Sequence, residues 1–112
     1  MPVIDSVTFN ELKQMSGDDF INELIDTFLE DAPKMIAELQ TSLAANEAEG
    51  FRRAAHSMKS NANTFGAGAL ATLAKELEML GKEQKLSEAG SKLKALEEAC
   101  ASACEELKRL KS

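Results

Sequence analysis

Four things are scarce in this sequence of 112 residues: long apolar runs, cysteine, histidine and strand-like alternation. No apolar stretch approaches the roughly 20 residues that a membrane-spanning helix needs, so no membrane contact is expected. The opening Met1-Pro2-Val3-Ile4-Asp5 lacks the basic and apolar regions of a secretory signal. An intracellular, cytoplasmic protein is expected. The two cysteines, Cys100 and Cys104, stand four apart in a helix-forming stretch, where side chains run parallel and a disulfide would be strained. A reduced compartment fits, and two thiols without a second Cys or His pair cannot complete a tetrahedral metal site. Small core residues are the simpler reading of both. Segments alternating in Val, Ile and Thr are missing and there are only two prolines, which excludes a sheet and leaves an all-α chain.

Chemistry-bearing motifs are equally thin. There is no Walker-type loop, no kinase motif set and no cluster of carboxylates and histidine at metal-ligand spacing, so autonomous kinase activity and a bound cofactor are not expected. Gly66-Ala67-Gly68-Ala69 is not followed by Gly-Lys-Ser/Thr and reads as a turn in which glycine caps a helix. The net charge of −6 argues against nucleic-acid binding. Its distribution is uneven: Gly50 to Lys75 holds no acid and, through Arg52, Arg53, Lys59 and Lys75, carries +4, whereas the rest of the chain carries −10. That positive island surrounds His56, the one histidine, and suits a group that must carry a dianionic modification.

Residues 1–112 read as one domain, long enough to bury a core and too short for a second. A short first helix is predicted from Ser6 to Met15, with Phe9, Leu12 and Met15 on its apolar side and Ser16-Gly17-Asp18 breaking and recapping the chain. A long second helix follows, its stripe running from Phe20 and Ile21 to Leu39 and Leu43, with a kink or brief interruption at Pro33. The third is predicted from about Ala48 to Thr64, and the fourth from about Ala69 to Lys82 with a loop through Gly81. The last carries a stripe from Leu86 through Leu93, Cys100 and Leu107 to Leu110. Short connections make an antiparallel up-and-down four-helix bundle with an additional N-terminal helix the natural packing. Most of the five methionines fall at core spacing.

On a wheel of the third helix, Phe51, Ala54, Ala55, Met58, Ala62 and Phe65 share one side, and His56 points about 140° away from Phe51. Arg52, Lys59, Ser60 and Asn63 lie at helical-neighbour spacings from His56. If the third and fourth helices fold back about Ala67, Glu78 falls opposite His56. A carboxylate there would accept the Nδ1 proton, fix the ring and leave Nε2 as a nucleophile. Lys59 would supply positive charge to phosphoryl oxygens.

From Ala55 to Ala67 the chain resembles the signature of the histidine-containing phosphotransfer (HPt) family: a phosphorylated His, an apolar residue at +2, Lys at +3, a small residue at +4 and Gly at +10. Here those places hold His56, Met58, Lys59, Ser60 and Gly66. Phe28 to Pro33 and Leu77-Glu78 are similar to the family's preceding and following helices, so the likeness spans most of the chain. Two positions depart: Ser60 replaces the commonest Gly at +4, and Asn63 a very small residue at +7, and both are expected to narrow access to the imidazole. The resemblance implies a monomeric carrier that takes phosphate on His56 from a receiver-domain aspartate and hands it to a second receiver. A sensor or hybrid histidine kinase would stand upstream, and the receiver would hold Mg2+. With the first helix packed over the end of the bundle beside the active face, any exposed apolar side near His56 would then dock the receiver. Two other classes remain: a helical adaptor without transfer chemistry, and a haem or metal bundle, which would need a second axial ligand or inward carboxylates.

Overall fold

Buried Ile4 leads directly into Asp5. Its carboxylate accepts hydrogen bonds from the Thr8 backbone N–H at 3.1 Å and the Thr8 hydroxyl at 2.6 Å, capping a helix whose first donors would otherwise lack partners. The computed structural model describes residues 3–111, and within them every regular element is helical. Helix α1 is Ser6–Ser16, α2 Asp18–Ala44, α3 Ala48–Phe65, α4 Gly68–Lys82 and α5 Gly90–Leu110, with a 3-10 turn at Leu86–Glu88 before α5. Between α1 and α2 the chain turns on the single residue Gly17, whose φ of 84° is open to glycine and strained for other residues. No side chain recaps α2 there, contrary to expectation; Asp18 and Asp19 instead place negative charge on its first turn.

Five further expectations need correction. Helix α2 is one helix through Pro33, so of the kink or interruption expected there the interruption is absent. Pro33 is exposed, and buried Phe28, Ala32, Met35 and Leu39 continue the apolar stripe past it, so packing on both sides holds the helix despite one missing donor. Gly81 belongs to α4, not to a loop, and is buried. Leu86 and Ala89 are buried as the stripe predicts, but they precede α5. Of the methionines, Met35 and Met58 are buried while Met15 and Met79 are exposed, as is Phe20. Phe20 precedes Ile21 in the first turn of α2, and packing takes only Ile21 from that pair.

Each long helix packs on the next in sequence, α2 also meets α5, and α1 lies on α2 and α3. Two side-chain pairs join α2 to α5 and its C-terminal cap. Asp26 pairs with Lys111 at 2.6 Å and Gln40 with Glu97 at 2.6 Å, so one number rises as its partner's falls. The interior is apolar: Phe28, Ile25, Leu39, Phe51, Met58, Leu77 and Leu96 are fully buried, and the Phe28 and Phe65 rings meet at 5.6 Å. Among the described residues no polar or charged side chain is buried, and both cysteines are free thiols. Polar chemistry is thus confined to the surface. No helix of the described residues is long and apolar enough to cross a membrane.

Candidate functional site

Helix α3 buries Phe51, Ala54, Ala55, Met58, Ala62 and Phe65, and this commitment aims the residues between them outward. His56 keeps 56% of its side chain exposed. Across from it, buried Leu77 anchors α4 and turns its neighbour Glu78 toward α3. The two meet: His56 Nδ1 lies 2.6 Å from Glu78 Oε2. The other carboxylate oxygen, Oε1, accepts from Lys59 Nζ at 2.5 Å. One carboxylate therefore holds both the ring and the ammonium. Because an ionised carboxylate can only accept, a neutral imidazole in this contact donates from Nδ1 and carries its lone pair on Nε2.

The Lys59 hydrogen bond is the main influence holding Glu78 below the ordinary carboxylate range; the His56 hydrogen bond adds to it and partial burial opposes it. A carboxyl depressed in the folded state stabilises the fold above its unfolded pKa and loses that contribution as pH falls through the folded value. Denaturant midpoints of the native protein and Glu78→Gln should accordingly differ at pH 7 and converge as pH drops below about 4.5, the ordinary value. A gap that persisted or widened in acid would remove the charge-based account.

The remaining candidates are distributed unevenly. Arg52 is turned to Glu49, which it grips through Nε at 3.1 Å and a terminal nitrogen at 2.6 Å, so no hydrogen bond joins it to the His56 cluster. Its charge still acts on Glu78. Ser60 and Asn63 are exposed on α3 beyond His56, and the Ser60 carbonyl accepts from the Thr64 hydroxyl at 3.0 Å. The Lys59 link to Glu78 was not read from sequence; its signal was the three-residue step that places both donors on one face. Gly66, at the +10 place, caps α3 with φ 77°, and its carbonyl accepts from the Asp5 N–H at 2.9 Å. A Cβ added there would stand 2.8 Å from Thr8 Cβ. That glycine is thus needed both for its backbone angle and for the approach of α1.

The model of the family described as Hpt domain matches residues 23–110. The chain belongs to the Hpt domain family. Among solved structures, this Hpt domain is similar to the crystal structure of histidine-containing phosphotransfer protein B (HptB) from Pseudomonas aeruginosa PAO1. The TM-score is 0.92 at 28% identity, over 98% of this chain and 95% of that one. A search of curated proteins gives no match. Among the described residues of this Hpt domain, no three or more His, Cys, Asp or Glu side chains are grouped to hold a metal ion.

Proposed function

We propose that this Hpt domain relays phosphoryl groups between receiver domains through His56, with Nε2 as the acceptor atom. The observation carrying this reading is the exposed imidazole whose Nδ1 meets Glu78 at 2.6 Å, in a chain of the Hpt family. In the forward step Nε2 attacks the phosphorus of a receiver aspartyl phosphate, the N–P bond forms as the acyl O–P bond breaks, and the aspartate leaves as carboxylate. Glu78 orients the ring and receives the Nδ1 proton's hydrogen bond as positive charge develops. Lys59 turns further N–H groups to the phosphoryl oxygens, and Ser60 and Asn63 border the approach. Arg52 belongs to the rim, where it adds charge. Mg2+ is supplied by the receiver, and a sensor or hybrid histidine kinase feeds the relay. The chain itself acts as a cytoplasmic, monomeric carrier without kinase activity. We also read its four long helices as an antiparallel up-and-down bundle, the reading favoured by the Asp26–Lys111 and Gln40–Glu97 pairs.

The test is transfer from phosphorylated receiver domains. Label should appear in an acid-labile, base-stable form, and no label from any receiver would favour a pure adaptor. Lys59→Ala should slow transfer about 100-fold, the typical loss on removing one preorganised donor from a charged transition state. Single-turnover kinetics measures it, and a rate within about twofold of the native protein would remove Lys59 from this role.

A further inference from the structure

Gly81 stands in the last turn of α4 without the positive φ of Gly17 and Gly66, a conformation that alanine adopts at lower entropic cost. Local propensity therefore argues against it. What it meets explains it: a Cβ at Gly81 would lie 3.1 Å from each of Arg52 N, Cα and Cβ. Two of those atoms are backbone and cannot swing aside. Helices α3 and α4 approach here at a spacing tighter than an ordinary Cβ contact allows.

The location matters. Gly81 is three residues beyond Glu78 on α4, and Arg52 is four before His56 on α3, so this contact lies one turn from the His56 and Glu78 pair. Glu78 makes its two hydrogen bonds at 2.6 and 2.5 Å, the short end of the range, and has little slack for a wider helix spacing. We propose that Gly81 is a positioning residue: by letting α4 touch the α3 backbone at Arg52, it sets the spacing at which one Glu78 carboxylate reaches both His56 Nδ1 and Lys59. It acts through Glu78 and touches no reacting atom. Its consequence for transfer rate rests on the phosphotransfer reading, whereas its consequence for the imidazole does not.

Gly81→Ala separates the possibilities. If Gly81 were an incidental helix residue, alanine would stabilise α4 and leave the site alone. Under the proposal α4 lifts by a few tenths of an ångström, and the His56 ring 15N signals move from the Nδ1–H pattern toward that of an unrestrained imidazole. Transfer then slows about tenfold at unchanged receiver affinity. In a Glu78→Gln background the same change should have no further effect on ring signals or rate. Gly68→Ala is the control, because nothing lies within 4 Å of a Cβ there, and its ring signals should match the native ones. Native ring signals in folded Gly81→Ala overturn the proposal. Should Gly81→Ala not fold, Glu78→Asp decides: its carboxylate is one methylene shorter, and an undisturbed ring would show slack in the contact and overturn the proposal equally. A native domain that no receiver labels, with the ring shift still present in Gly81→Ala, would reject the relay function and leave the spacing role standing.

Discussion

Replacing His56 by glutamine should bring acid-labile labelling below detection while leaving helical content and the denaturation midpoint nearly unchanged. The chain contains no second histidine to take over, so the loss should be complete. The fold should tolerate the change because the imidazole is more than half exposed, and its neighbours Ala54, Ala55 and Met58 carry the packing of that turn. Surface substitutions of this kind usually cost within about 0.5 kcal/mol; loss of the Glu78 contact adds little, since glutamine retains a donor. Circular dichroism and labelling on the same sample make the comparison. Undiminished acid-labile phosphate on the variant would end the assignment of His56.

Gly66→Val should produce the largest loss of stability, about 3 kcal/mol. Two terms combine. A β-branched residue held at φ 77° stores on the order of 1–3 kcal/mol of backbone strain, and forcing a side chain against Thr8, where even a Cβ would come to 2.8 Å, adds an overpacking cost of about 1–3 kcal/mol. Relief requires α1 to move away, which breaks the hydrogen bond from Asp5 N–H to the Gly66 carbonyl. Against a total of about 5–15 kcal/mol for a small domain, the fall in denaturant midpoint should be plain. A shift under about 1 kcal/mol would mean that α1 is not packed as described.

Sequence periodicity is legible where one helix face is committed to the core. The α3 stripe fixed which way His56 points, and folding back about Ala67 put position 78 opposite position 56, where the structure has a contact of 2.6 Å. Side chains with several available partners are harder to read. Arg52 chose Glu49 on its own helix, and Lys59 chose Glu78, because long flexible cations settle by local competition that spacing does not rank. Element ends were within a residue or two, except at α5, where burial of Leu86 and Ala89 continues the stripe across a change of helix type. Phe20 and Met15 satisfy an apolar pattern without having a neighbour to cover them, a matter of tertiary reach. Gly81 reads as a loop from one sequence because its reason is a backbone on another helix.

The hydrogen bond from Lys59 to Glu78 has a thermodynamic corollary for a carrier. An ammonium with no other engagement would grip a bound phosphoryl group tightly, and a station that binds its cargo tightly becomes a sink. With its charge shared by a carboxylate, Lys59 would favour the loaded state less, so that in the proposed relay a phosphohistidine would keep more of its group-transfer potential. In that relay, competition between Glu78 and the cargo for Lys59 would ease unloading as well as loading.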